Sequence, residues 1–162
     1  MSVAIRVLRT DDGPLLCKLF YRLSPESVYR RFFTLYTAPP PEAIRRLVDV
    51  DHDRRDALVA VVDGEIVGVA RYAALVNDPD TAEVAVVVED AWQGRGLGRR
   101  LLEGVTALAR LHGLTALCAT VLADNRPAIA MLHALYPDAV WTPNGTEYEL
   151  TIPLPARERV PA

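Results

Sequence analysis

Residues Val3 to Leu8 alternate apolar and polar side chains, the period of two expected of a half-buried strand. Thr10-Asp11-Asp12 then offers an N-cap for a helix running to about Arg22, with Leu15, Leu16, Leu19 and Phe20 on its apolar face. Ser24-Pro25-Glu26 opens a second helix: a hydroxyl cap, proline at the first helical position and an acid in the first turn. That helix is predicted to carry Val28, Phe32 and Leu35 inward. Ala38-Pro39-Pro40-Pro41 breaks the pattern before a third helix, Glu42 to Val48. The acidic continuation Asp49-Val50-Asp51-His52-Asp53 reads as a loop able to face a substrate.

Leu58 to Val62 and Glu65 to Leu75 flank Asp63-Gly64, a dipeptide that readily takes the positive φ angles of a two-residue hairpin turn. Asn77-Asp78-Pro79-Asp80 turns the chain again into Ala82 to Glu89, giving a three-strand antiparallel meander. From Gly96 the period changes to 3.6, with Leu97, Leu101, Val105 and Leu108 on one stripe and a stop at His112-Gly113. Leu114 to Leu122 is apolar enough for a strand buried on both faces. Asn125 to Leu135 is a further helix, and Val140-Trp141 and Glu147 to Ile152 close the series as strands. The order predicts one mixed α/β (α+β) domain over 1–153, with residues 154–162 as a disordered tail. The strands before and after the helix at Gly96 are expected to be parallel neighbours.

Composition narrows the chemistry. With 162 residues, about half of them apolar, the chain is long enough for a substantial single core. No apolar run approaches the roughly 18 residues that span a bilayer, and the N-terminus lacks a signal-peptide pattern. A cytoplasmic location without a membrane partner is expected. A formal net charge of -3 gives no basic field for nucleic acid. Lys18 is the only lysine, and arginines carry the remaining positive charge. Cys17 and Cys118 are too isolated for a disulfide framework or a zinc site, so both read as small buried apolar residues and no metal is expected.

The segment Gln93-Gly94-Arg95-Gly96-Leu97-Gly98 leads from a strand into a helix, which gathers unpaired backbone N–H groups and the positive end of the helix dipole at one place. Anions bind such a turn, and the glycines let a phosphate approach the backbone closely. Arg95, Arg99 and Arg100 add charge for a polyphosphate. Spacing excludes a Walker loop, which needs Gly-Lys-Ser/Thr, and a dinucleotide fingerprint, whose third glycine is replaced by Arg99.

Gln-x-x-Gly-x-Gly after a hydrophobic strand resembles the acyl-CoA motif of the GNAT family of N-acetyltransferases, and the element order is similar over nearly the whole chain. The resemblance implies a mixed, mostly antiparallel sheet of six to seven strands with flanking helices, splayed between the strands at Ala82 to Glu89 and Leu114 to Leu122. It also implies acetyl-CoA as co-substrate. Val86 and Val88 would hold its pantetheine arm, with Gln93, Gly94, Arg95, Gly96, Gly98 and Arg99 at its pyrophosphate. Asn125 is similar to a pantetheine contact of the family, and equally to a simple N-cap.

The stretch Leu23 to Phe33, with Ala82-Glu83-Val84-Ala85, is most similar to the acetyltransferase domain of bacterial Pat-type protein lysine acetyltransferases. That implies a protein partner, an acyl-CoA synthetase, and Glu83 as general base for the acceptor lysine. Read from the pattern alone, Glu83 is either a solvent-facing residue or one placed in an apolar strand for a purpose. Glu89 is a second-choice base, unless a bulge in the strand spoils the alternation. Where many members of the family carry a tyrosine acid, this chain has Leu132, and Tyr136, one turn on, reads as a packed aromatic. His112 and His133 read as surface or helix-end residues. Two other functions remain open: a small-molecule amine or antibiotic N-acetyltransferase, and a non-catalytic CoA-binding regulatory module.

Overall fold

The computed structural model describes residues 2–155. Seven strands, β1 (Ala4–Val7), β2 (Arg55–Val62), β3 (Glu65–Ala74), β4 (Thr81–Val88), β5 (Ala116–Leu122), β6 (Val140–Asn144) and β7 (Glu147–Pro153), form one sheet in the order β1-β2-β3-β4-β5-β7-β6. Only β4 and β5 pair in parallel. The helices are α1 (Gly13–Arg22), α2 (Pro25–Phe32), α3 (Pro41–Val48), α4 (Leu97–Leu111) and α5 (Arg126–Leu135).

Alternation along the central strands divides the core in two. Leu58, Ala60, Tyr72, Val84 and Leu117 face α4, where they meet Leu101 and Val105. Val59, Ile66 and Val69 face the other way, onto Leu16 and Leu19 of α1 and Leu47 of α3. Burial on both faces explains why β2 and β3 read as nearly continuous apolar runs. The hairpin between them turns at Asp63 (φ 49°) and Gly64 (φ 78°), both left-handed as the Asp-Gly pair predicts.

Four expectations need correction. α2 stops at Phe32 because Phe33 adopts φ 57°, so Leu35 lies beyond the helix and is 68% exposed. β5 is buried on the α4 face through Leu117 and Val121, whereas Thr120 on its other face is exposed. Cys17 and Cys118 are half-buried. Finally, Pro153 closes β7, and Leu154, expected in a disordered tail, is buried and donates its N–H to Thr115 O at 2.9 Å. The rest of that tail, residues 156–162, lies outside the described residues.

The feature that positions the site is a short parallel seam. β4 and β5 pair only at Thr81, Ala82 and Glu83 with Ala116, Leu117 and Cys118, and then diverge. The β3–β4 ladder is regular from Ala74↔Ala82 to Gly68↔Val88, without a bulge, and Glu89 extends it by donating to Val67 O. By alternation the backbone groups of Val84, Val86 and Val88 therefore point away from β3; Val84 N–H closes the seam on Cys118, and those of Val86 and Val88 face the gap that β5 leaves, where Val88 O is met by Gln93.

Candidate active site in the splayed sheet

At the wide end of the gap the chain makes a single turn of 3₁₀ helix at Asp90–Trp92 and passes through Gly94 (φ 75°) and Gly96 (φ 78°) into α4. These left-handed positions favour glycine, and a Cβ at either would meet nothing within 4 Å, so conformation and not crowding selects the residue. The first intrahelical bond is Arg100 N–H to Gly96 O, and no side chain caps the helix. The N–H groups of Gly96, Leu97, Gly98 and Arg99 thus remain free at the positive end of a 15-residue helix.

A cleft of about 500 Å³ begins there. Gly94, Gly96, Gly98 and Arg99 line its upper wall, Val86 and Val88 its floor, and Asn125 and Met131 its far side. A smaller cavity of about 100 Å³ shares Val86, Asn125 and Met131 with it and continues to Glu83, Phe33 and Leu132. Together they form a track from an anion-binding helix end, along an open strand edge, to a carboxylate at the point where the strands part. A diphosphate on an extended, amide-containing arm fits that track: free N–H groups meet the charge, and unpaired strand groups meet the amides.

The structure brings most of the sequence-derived residues to this track, with altered roles for some. Gln93 reaches it, but its side-chain amide donates to Val88 O (2.9 Å) and Ser27 Oγ (3.1 Å), which bolts the turn to β4 and α2. Arg95 does not line the cleft; its guanidinium stacks over Trp92 at 4.7 Å. Arg99 lines it while paired with Glu103 at 3.0 Å. Asn125 caps α5 through a long bond from Ala128 N–H, 3.4 Å, and lines both cavities.

Glu83 is exposed, and among the described residues it makes no ion pair or side-chain hydrogen bond. Glu89, by contrast, is held by Arg22 Nε at 3.1 Å and is only 14% exposed. Its carboxylate is engaged with α1, and it lines neither of the two joined cavities. Tyr136 is buried with its hydroxyl 2.8 Å from Thr106 Oγ1. Burial pushes its pKa up, and it lines neither of the two joined cavities. His112 Nδ1 lies 2.6 Å from the Tyr72 hydroxyl, and His133 stacks on Trp141, so both are structural helix-end residues.

Several residues at the site carry no signal in the sequence. Asp90 accepts hydrogen bonds from Ser24 N–H (2.9 Å), Ser24 Oγ (2.7 Å) and Ser27 Oγ (3.1 Å), fastening the N-terminus of α2 to the turn. Partial burial raises its pKa, but these bonds outweigh that and hold it below the usual carboxylate range. Arg31 of α2 is half-buried at the cavities; burial, reinforced by the nearby Arg71 charge and opposed by Glu83, pushes it down to about 10. Burial also pushes up the thiol of Cys118, opposite Glu83 in the parallel seam, and the Glu83 charge adds to the effect.

Comparison with known proteins agrees with this construction. Residues 22–135 match the family described as "Acetyltransferase (GNAT) family". An acetyltransferase from Pseudomonas aeruginosa is 34% identical over 128 residues, 76% of this chain and 68% of that one. Acetyltransferase Pat from Mycolicibacterium smegmatis is 32% identical over 139 residues; the match covers 83% of this chain but only 38% of that protein's length. Among solved structures, the GNAT domain of S. lividans PAT superposes with a TM-score of 0.86 at 29% identity, covering 94% of this chain and 90% of the domain. No helix among the described residues is long and apolar enough to cross a membrane. A splayed sheet with an uncapped glycine-entered helix at its opening, matched over most of its length by this family, has one assignment: the chain belongs to the acetyltransferase (GNAT) family, and acetyl-CoA is its co-substrate.

Proposed function

We propose that this chain transfers the acetyl group of acetyl-CoA to the side-chain amine of a protein lysine, on an acyl-CoA synthetase, with Glu83 as the general base. The carrying observation is the unpaired Glu83 carboxylate at the last paired position of the β4–β5 seam, in a cavity continuous with the acetyl-CoA cleft. The likeness to two Pat proteins supports lysine as the acceptor.

Free lysine has a pKa near 10.4, so the neutral amine at pH 7 lies about 4.6 kcal/mol uphill. A carboxylate within hydrogen-bond reach that takes the proton during attack supplies part of that difference. The amine nitrogen bonds to the thioester carbonyl carbon, the C–S bond breaks, and the amine proton passes to Glu83 directly or through one water. The free main-chain N–H groups of β4 in the gap are the donors available to the developing oxyanion. With Leu132 in the cavity where a hydroxyl acid would stand, water protonates the departing thiolate.

The experiment is incubation with acetyl-CoA and an acyl-CoA synthetase, with mass spectrometry locating the acetylated lysine, for wild type and Glu83→Gln. Loss of transfer with acetyl-CoA affinity retained is the expected result. Turnover confined to free polyamines, amino acids or aminoglycosides removes the lysine assignment. A fully active Glu83→Gln removes the base.

A further inference from the structure

Two arginines stand near Glu83 at the acceptor end: Arg31 lines the cavity, and Arg71 lies beside Glu83 in the sheet without lining it. Arg71 stands opposite Ala85 and Glu83 opposite Ala73, so Arg71 and Glu83 are diagonal neighbours on one face of the β3–β4 ladder. That spacing is about 7–8 Å, within reach of long side chains. Among the described residues no ion pair joins them, and Arg71 Nε is buried without a hydrogen-bond partner. Arg31 reaches the same place from α2. Its guanidinium stacks on Phe32 at 4.9 Å and has no carboxylate partner among the described residues. Burial lowers the pKa of both arginines and the Glu83 charge opposes the fall at each; repulsion from Arg71 adds to it at Arg31, while at Arg71 Arg55 and Arg46 add to it and Asp49 opposes it.

Arg71 Nε is thus a buried donor without a partner, and the charges of the two guanidinium groups are opposed only by Glu83 and, at Arg71, by Asp49 as well. A buried donor left unpaired is costly, so such a pair is complementary to an arriving anion. The planar fork of arginine suits a carboxylate in particular. The phosphates of acetyl-CoA are poorly placed to be that anion. Their helix end follows Val88, about 16 Å along β4 from Glu83 at 3.3 Å per residue, and Arg71 does not line the cleft.

We propose that Arg31 and Arg71 form a carboxylate-binding pocket that recognises an acidic side chain flanking the acceptor lysine. The inference rests on the lysine reading above for the source of the carboxylate, though not for the pocket itself. The same two cations disfavour an ammonium beside Glu83, so they also bias the arriving amine toward its reactive neutral form. Exposed Tyr29, Phe33 and Tyr36, around Arg31 in sequence, offer apolar surface to the rest of such a segment.

The test is calorimetric titration of the CoA-loaded protein with paired lysine peptides, identical except for Asp or Asn beside the lysine. Wild type is expected to bind the Asp peptide at least tenfold tighter. That preference falls below about threefold in Arg71→Gln and in Arg31→Gln, and returns only in part in Arg71→Lys, which keeps the charge without the fork. Should Arg71→Gln fail to fold, Arg31→Gln on the surface helix reads the same discrimination. Equal binding of the two peptides by wild type, or a preference that survives both Gln substitutions, overturns the pocket, as does no binding of either peptide together with no Arg71-dependent binding of free 2,4-diaminobutanoate. Acetyl transfer to the same peptides is read separately: an Arg71-dependent preference without transfer leaves the pocket standing and removes the lysine reading. A third titration uses the free amino acid 2,4-diaminobutanoate against its carboxamide. Arg71-dependent binding there, with none of the peptides, overturns the protein source of the carboxylate.

Discussion

The two ends of the cleft are built from different materials. At the glycine turn the ligand-facing groups are main-chain N–H donors at the start of α4, supplied by one continuous segment and held by Gln93 to β4 and α2. At the acceptor end they are side chains: Glu83 from β4 and Arg31 from α2 line the cavity, with Arg71 of β3 the diagonal neighbour of Glu83, three segments that meet only in the folded chain. Backbone donors serve any sequence able to make the turn, so the first end suits a co-substrate common to a family. Side chains exchange one at a time, which suits the acceptor, the partner that differs among relatives.

The comparison breaks most sharply at Glu83. Glu83→Gln keeps the size and removes the proposed base, and kcat is expected to fall by about 10²- to 10⁴-fold. Acetyl-CoA affinity, read by calorimetry, is expected to stay within about twofold, because the main-chain end is untouched. Loss of affinity in step with loss of rate means the two ends are not separable.

The opposite perturbation acts on backbone. Gly96→Val forces a β-branched residue to φ 78°, at a cost of about 1–2 kcal/mol, and disorders the donors that follow it. Acetyl-CoA binding is expected to weaken about tenfold or more, while substrate preference among acceptors, measured as a ratio of kcat/KM values, stays unchanged. Because the Cβ meets no neighbour within 4 Å, a loss of affinity already present in Gly96→Ala identifies strain and not a clash as the cause.

A third substitution tests the fastening between the ends. Asp90→Asn weakens the bonds from Ser24 and Ser27, and at this exposed site the cost is about 1 kcal/mol, or a Tm lower by about 2–4 °C. The folded pKa of Asp90 is depressed, so its contribution is fully present above the ordinary carboxylate pKa and is lost as pH falls through the folded value. The gap in Tm between wild type and Asp90→Asn is expected to be constant near pH 7 and to close below about pH 4. A gap that widens on acidification reverses the assigned sign.

The same division explains what the sequence discloses. Strand and helix periods, the Asp63-Gly64 turn and the Gly94 to Gly98 entry into α4 are local signals, each decided by neighbouring residues. The roles of Gln93 and Arg95 are not local. Gln93 Nε2 finds Ser27, 66 positions away, and Arg95 prefers the Trp92 ring to a place in the cleft. Asp90 and Arg71 have no pattern at all; one is an acid after a strand and the other a charge in an apolar strand until α2 is folded over them. Leu35 falls outside α2 for a related reason, since nothing in the spacing of Val28, Phe32 and Leu35 announces the left-handed Phe33 that ends the helix.

Tyr136 provides the smallest effect and the finest test of where the acceptor end stops. Its hydroxyl is the nearest phenol in sequence to Leu132, yet it points to Thr106 at 2.8 Å and borders a separate cavity with Pro137 and Ile152. Tyr136→Phe removes one partly buried hydrogen bond, about 0.5–1.5 kcal/mol of stability and a Tm shift of only a few degrees. If water and not a phenol protonates the thiolate, kcat and its pH profile are unchanged in this variant. A tenfold fall in kcat, or a lost basic limb in the profile, extends the catalytic side chains past Leu132 to the end of α5. An unchanged profile excludes Tyr136 and keeps the proposed acceptor chemistry among the few residues around the point where β4 and β5 part, with Glu83 as the proposed base.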